Sequence, residues 1–331
     1  MEFSAIIGKL TTKHNLSPDE AQLVMDSMVT ASFTPAQTAA LLVALKMKGE
    51  TAEEIAEFAK VMRKHCVKIS PKAAPLVDTC GTGGDSSHTF NISTAAGIIA
   101  ASAGVKIAKH GNRSVSGKCG SADVLEALGV KMLPPAQVEK CIDETGFGFM
   151  FAPSFHPAMK NVMPVRKELG VRTAFNMLGP LTNPAGADRQ VLGVFEPGLV
   201  QKMAEVLSLL GSRHALVVHS EGMDEIGLGR TEACEIINGK LRQFTIDASE
   251  FSMQKRDIPK VHSIPDGAKA LAAVLSGNTG AALDISLLNA AAAIYVSGKA
   301  ASIKEGLAAA KQAVASGDAQ RKLEEIKAFS A

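Results

Sequence analysis

The sequence predicts an α/β protein: a small N-terminal helical domain, residues 1–72, and a larger α/β domain, residues 73–331, whose mainly parallel central sheet is flanked by helices. Three observations carry that reading. The first 70 residues contain repeated helix-start signals and no strand signal. Beyond the prolines at positions 71 and 75, short apolar runs alternate with helical stretches, the pattern of βαβ units. A length of 331 residues is more than one minimal core requires.

Taken in order, Ser17-Pro18-Asp19-Glu20 is a capping box with proline at the first helical position, and Thr34-Pro35-Ala36-Gln37 repeats it. Thr51-Ala52-Glu53-Glu54 is a third box. Apolar residues recur behind these caps at helical spacing, as in Leu23, Val24 and Met28, or Ile55, Phe58, Val61 and Met62. Pro71 and Pro75 mark a linker. Strands are expected at 76–79, 105–108, 147–151, 190–195 and 215–219, with helices between them, for example at 121–128 and 197–210. The small apolar run 92–101 predicts a helix starting near Asn91. Residues 156–185 break the rhythm and read as one or two helices followed by a Pro/Gly-rich turn. Residues 284–296 and 303–315 are alanine-rich and helical, with no evident chemistry.

Composition narrows the function classes. A net charge of +2 lacks the basic excess of a general nucleic-acid binder. Five cysteines, an odd count with no C-x-x-C pair, argue against a disulfide framework and a zinc site. The N-terminus lacks a signal-peptide pattern and no apolar segment is long enough to span a bilayer, so a cytoplasmic protein without membrane contact is expected.

The chemistry is concentrated in a few blocks. DTCGTGGD occupies 78–85, NIST 91–94 and KHGNRSVSGKCGSAD 109–123. Gly81, Gly83 and Gly84 let a backbone approach a bulky anion, and successive N–H groups in such a turn form an anion-binding concavity. A helix starting nearby adds its own first N–H groups. The spacing fits neither the dinucleotide-binding fingerprint nor a P-loop, and alone it is equally a plain tight turn. Asn91, Ser93 and Thr94 can be helix caps, although three polar side chains exceed what one cap needs. Lys109-His110-Gly111-Asn112-Arg113 follows a strand and reads either as a solvated loop or, given Gly111, as a place of close approach. Asp224-Glu225 on a loop is usually just solvated, yet Mg²⁺ favours one or two carboxylates with waters and substrate phosphates. Arg166 is either a surface residue or a fork for a planar carboxylate, and His156 before Pro157 reads as structural. Together these groups suit a polyphosphate sugar held with a metal, bound beyond the C-terminal ends of the strands.

These blocks, with HPAMKNVMPVRKELGVRTAFNMLGPLTNPAG at 156–186 and GMDE at 222–225, resemble the anthranilate phosphoribosyltransferase family over nearly the whole chain. The resemblance implies a fold shared with pyrimidine nucleoside phosphorylases, with a phosphoribosyl-diphosphate-binding α/β domain and the active site in the cleft between domains. It also implies a homodimer joined through the helical domains, and packing of part of 156–185 against the N-terminal helices. The implied reaction transfers 5-phosphoribosyl from phosphoribosyl diphosphate to the amino group of anthranilate, the second step of tryptophan synthesis from chorismate, with Mg²⁺. The implied donor contacts are Gly81, Gly84, Asp85, Thr89, Asn91, Ile92, Ser93, Thr94, Lys109, His110, Gly111, Asn112, Arg113, Ser114, Val115, Ser116, Gly117 and Ser121. Ser93, Asp224 and Glu225 match the magnesium ligands, and Gly81, Asn112, His156, Arg166 and Gly179 match the anthranilate positions. No residue is assigned as acid or base; His110, Asn112 and Arg166 position the substrates. Gly117 stands where the family often has serine, IGLGRTEACEI lacks the usual Ser/Thr-x-x-Gly, and Cys119 reads as a neutral filler. Two rivals are a pyrimidine nucleoside phosphorylase and a non-catalytic paralogue that binds nucleic acid. Arg166 and FNMLGPLTNP argue against the first, and balanced charge with nearly intact donor motifs argues against the second.

Overall fold

Each capping box of the N-terminal region starts a helix in the computed structural model, which describes residues 2–84, 87–114 and 119–331. The helices are α1 Phe3–Thr11, α2 Pro18–Val29, α3 Pro35–Lys48 and α4 Ala52–Lys64. The Ser17, Thr34 and Thr51 hydroxyls accept the N–H groups of Glu20, Gln37 and Glu54, and those three side chains return the bond to the cap backbone. Glu54 does more than cap. Its buried carboxylate also accepts the Leu16 N–H at 2.8 Å and pairs with Lys48 at 2.8 Å, tying three segments of the helical region together.

Among the described residues seven strands form one sheet: β1 Leu76–Gly81, β2 Lys106–Gly111, β3 Phe147–Phe151, β4 Arg189–Gly193, β5 His214–His219, β6 Arg230–Ile237 and β7 Lys240–Asp247, in the order β3-β2-β1-β4-β5-β6-β7. β1 to β5 run parallel, whereas β6 and β7 are antiparallel. That hairpin was not among the expected strands. β7 is mostly exposed and polar, so its apolar alternation is faint. The local signal was Asn238-Gly239, whose φ values of 48° and 80° make the tight turn between the strands. The order of the parallel strands reverses between β1 and β4. Such a switch point opens a crevice beyond the carboxyl ends of the strands.

Side chains alternate between two cores. On β5, Leu216 and Val218 face a core built with the helices Ile92–Ser102 and Ala281–Ser297, while Ala215 and Val217 face the core of the N-terminal helices. Residues 156–185 join that second core. They form a 3₁₀ turn Pro157–Asn161, a helix Met163–Leu169 and a short helix Phe175–Leu178. Val162, Val165 and Phe175 pack in one cluster with Ile6, Leu41 and Phe58, and the Asn161 amide donates to the Val29 carbonyl at 2.7 Å. Packing against helices rather than on the sheet accounts for the broken β–α rhythm. One expectation needs correction: residues 109–111 end β2 instead of forming a loop. Arg166 lies inside the helix Met163–Leu169. Among the described residues no helix is long and apolar enough to cross a membrane.

Candidate functional site

The crevice at the β1/β4 switch point is floored by two glycines. Gly81 ends β1, Gly193 ends β4, and the two are register partners. The acid loop sits directly on them: a Cβ on Gly81 would lie 2.2 Å from the Asp224 carboxylate, and one on Gly193 would lie 1.6 Å from the Asp224 carbonyl oxygen. Only a residue without a side chain lets the loop descend this far. Gly83 and Gly84, at φ 68° and 75°, then turn the chain so that the Gly83 N–H donates to Asp224 Oδ2 at 2.7 Å. The Ser93 N–H, in the first turn of the helix Ile92–Ser102, donates to Glu225 Oε1 at 3.0 Å. Behind the acids, Asn289 grips the Ile226 backbone on both sides, accepting its N–H at 3.0 Å and donating to its carbonyl at 2.9 Å.

Lys109 reaches this corner from β2. Its ammonium donates to the Thr79 carbonyl and to Ser93 Oγ, the latter at 3.1 Å. Lys109 is buried, which lowers its pKa; Asp78, Glu225 and Asp224 act against that and favour the charged form. Burial also raises the Asp78 pKa to about 6, although Lys109, the Asn183 amide at 2.8 Å and the His110 N–H at 3.2 Å all hold its carboxylate. Asn183 donates to the Ala108 carbonyl as well, at 2.8 Å, so it fastens the Pro/Gly-rich turn to β1 and β2 together.

Histidines line the next part of the crevice. His110 Nδ1 lies 3.0 Å from the Gly179 carbonyl, an acceptor only, so Nδ1 carries the proton and Nε2 is bare. Among the described residues that Nε2 is buried without a partner, and neither ring nitrogen of the buried His156 has one within hydrogen-bonding geometry. The rings lie 5.0 Å apart between centroids. Burial, aided by the His156 neighbour, lowers the His110 pKa to about 3, and burial lowers that of His156 to about 4. Both are therefore neutral at ordinary pH. Arg166 is half-buried, its guanidinium 5.3 Å above the Phe175 ring and 3.6 Å from the Met163 sulfur. Among the described residues these contacts, rather than a carboxylate, hold it, and burial lowers its pKa.

The remaining expected residues are distributed unevenly. Ser121 Oγ donates to the Asn112 carbonyl at 3.2 Å, and a Cβ on Gly111 would lie 2.6 Å from that hydroxyl. Asn112 is exposed. The Arg113 guanidinium is engaged by Asp123 at 3.0 Å and Glu126 at 2.7 Å, and the Ser114 N–H donates to Asp123. What Arg113 offers a ligand is thus chiefly its backbone. Asn91 does not cap the helix with its side chain; its amide donates to the Cys119 carbonyl at 3.3 Å and joins the 91–94 block to the 109–123 block. Ile92 and Thr94 are buried, and the Thr94 hydroxyl has no partner. Thr89 Oγ1 lies 3.2 Å from Ser87 Oγ. Burial raises the Cys119 thiol to about 11, as a neutral filler requires. Asp85, Val115, Ser116 and Gly117 lie outside the described residues. The sequence reading missed Asp78, Asn183, Gly193 and Asn289. Asp78 inside an apolar strand and Asn289 inside an apolar helix were legible as misplaced polar groups, whereas Gly193 carried no local signal.

The chain matches a family model described as the a/b domain of a glycosyl transferase family over residues 73–320, and the helical bundle domain of that family over residues 4–66. It is 50% identical to the anthranilate phosphoribosyltransferase of Methanocorpusculum labreanum, over 97% of this chain and 96% of that one. It is 48% identical to that of Nitrosomonas europaea, over 100% and 98%. Among solved structures, the anthranilate phosphoribosyltransferase of Thermus thermophilus superposes with a TM-score of 0.93 at 44% identity, covering 98% of both chains. The Saccharomyces cerevisiae enzyme in complex with phosphoribosyl diphosphate and Mg gives a TM-score of 0.90 at 29% identity, covering 99% and 97%.

Proposed function

Because the chain belongs to the anthranilate phosphoribosyltransferase family, we propose that the switch-point crevice binds the donor and that the histidine and arginine side of it binds the acceptor. The enzyme is a pentosyltransferase of tryptophan biosynthesis. It joins the amino nitrogen of anthranilate to the ribosyl carbon C1 as the C1–O bond to diphosphate breaks, and one amino proton passes to solvent. The observation that carries the site assignment is the seating of Asp224 on Gly81 and Gly193, which brings both acids to the donor turn.

The reaction uses Mg²⁺, and the chain fits it. Mg²⁺ takes one or two carboxylates and completes its shell with water and substrate phosphate, and Asp224 and Glu225 are held by backbone N–H groups beside the Ser93 hydroxyl. When bound, the ion supplies positive charge to the departing diphosphate. Lys109 adds a buried ammonium on the same side, pre-oriented by Thr79 and Ser93. The Gly83-Gly84 turn and the start of Ile92–Ser102, whose Gly83 and Ser93 N–H groups hold the acids, form the wall that the donor anion lies against. Asn112, Arg113 and Ser121 frame the loop over it.

On the acceptor side, Arg166 forks the anthranilate carboxylate, and Asn112, His110, His156 and Gly179 set the plane of the ring. A neutral His110 and His156 suit an aromatic ring without adding charge. An aniline nitrogen carries its lone pair at neutral pH, so positioning replaces a general base. We also read the protein as a cytoplasmic homodimer joined through its N-terminal helices, which expose Leu23 and Met47; light scattering at the mass of one chain would reject the dimer. The central test is the fluorescence decay of anthranilate with donor and Mg²⁺. Wild-type protein consumes it, Asp224→Asn is slowed roughly 100-fold, and an inactive wild type under these conditions refutes the reading.

A further inference from the structure

Arg172 has a position that the donor and acceptor assignments leave unused. It follows the helix Met163–Leu169 that carries Arg166, yet its guanidinium reaches the other half of the crevice. Nη2 donates to the Gly84 carbonyl, and a Cβ on Gly84 would lie 3.0 Å from that same nitrogen. The cationic plane rests on the Phe195 ring, 3.9 Å from its centroid. Phe195 is itself part of the donor corner. Its N–H donates to Thr82 Oγ1 at 3.1 Å, and the Thr82 N–H donates to the Gly193 carbonyl at 2.9 Å.

One side chain therefore joins two segments, the donor turn and the loop after β4, to its own, the segment bearing the acceptor arginine. A guanidinium suits this because its planar fork donates in fixed directions while its face stacks. Its charge is held by a carbonyl and a ring, both of which leave it cationic beside a turn read as binding an anion.

We propose that Arg172 is a positioning residue that couples donor and acceptor binding, by fixing the Gly84 peptide relative to the helix that presents Arg166. The inference rests on the site reading above. It differs from a donor contact or an acceptor contact in one observable way: its loss shifts both Michaelis constants together. Arg166→Ala moves the acceptor constant alone, and Asp224→Asn moves donor and metal dependence alone.

The test measures both constants for wild type, Arg172→Gln, Arg172→Lys and Phe195→Leu, with thermal unfolding as a control. In Arg172→Gln both constants rise about 10-fold, a coupling of ordinary allosteric size, while the melting temperature stays near that of wild type. Arg172→Lys restores part of the donor constant because one donor to Gly84 survives. Phe195→Leu, which keeps the charge and removes the platform, shows the same paired shift at smaller size. Unchanged constants in Arg172→Gln, or a shift confined to one substrate, overturns the proposal. If Arg172→Gln fails to fold, Phe195→Leu decides: a paired shift supports the coupling and wild-type constants reject it. Failure of the underlying site reading appears separately, as a wild type that transfers nothing.

Discussion

The two halves of the crevice, proposed to bind donor and acceptor respectively, are built by different physics. The donor half is a matter of clearance and backbone hydrogen bonds: Gly81 and Gly193 admit Asp224, and the N–H groups of Gly83 and Ser93 hold the acids. The acceptor half is a matter of charge state: two buried imidazoles kept neutral and an arginine without a carboxylate partner among the described residues. The first tolerates no added atom.

The sharpest way to break this contrast is Gly193→Ala. The new methyl would overlap a backbone oxygen, which has nowhere to rotate, so stability falls by about 3 kcal/mol and transfer falls below detection at substrate levels that saturate wild type. Equal melting curves for the two proteins would show that the acid loop moves freely and that the donor half is not sterically strict. Next in size, Arg166→Ala should raise the acceptor constant roughly 30-fold, about 2 kcal/mol, while the donor constant changes less than about threefold. Comparable shifts in both would merge the halves.

Asn289→Ala should be milder. It frees the Ile226 N–H and carbonyl in a buried place and costs about 2 kcal/mol, with a rise in the Mg²⁺ concentration needed for half-maximal rate. A loss of stability with unchanged metal dependence would confine Asn289 to folding.

The smallest effect is in pH. His110 and His156 have folded-state pKa values lowered to about 3 and about 4 from 6.5, so unfolding takes up protons below 6.5 and stability is lost as pH falls toward those values. Asp78, raised to about 6 from 3.8, acts in the opposite sense: its buried charge destabilises above 6, and that penalty is relieved as pH falls from 6 to 3.8. The histidines prevail because there are two of them. His156→Asn should therefore show a shallower acid loss, by about one proton in the slope of stability against pH. In the wild type, acceptor kcat/KM should show no inflection near 6.5; one that vanished in His156→Asn would mean that the ring is charged in use.

The halves also differed in how far the sequence exposed them. In the helical region three of the four helix starts were legible because capping boxes are local: Ser17, Thr34 and Thr51 each start a helix, whereas α1 has no side-chain cap to announce it. The blocks proposed to bind the donor stood out because GTGGD, NIST and the paired acids each combine residue types with few other uses, and the fold brings the turn, the helix start and the acids together. What could not be read was pairing across distance. Gly193 becomes special only once Asp224 lies on it, and Asn289 only once Ile226 needs a clasp. Arg113 showed the reverse fault: a basic residue in a ligand-like block whose side chain is taken up by Asp123 and Glu126. The hairpin β6–β7 escaped because a polar strand at the sheet margin has little apolar alternation to reveal it.

Asn183 bears on redesign. Its amide clamps the turn after the acceptor helices to Asp78 and to Ala108, and thereby to the two strands that deliver the donor turn and Lys109. The segment proposed to bind the acceptor is thus pinned at its far end to the two strands, while Val162, Val165 and Phe175 pin it to the N-terminal helices. An engineer seeking other aromatic amines as nucleophiles would vary His156 and Arg166 alone and retain Asp78, Asn183, Arg172 and that buried apolar face, so that the strands carrying the Gly83-Gly84 turn and Lys109 keep their place.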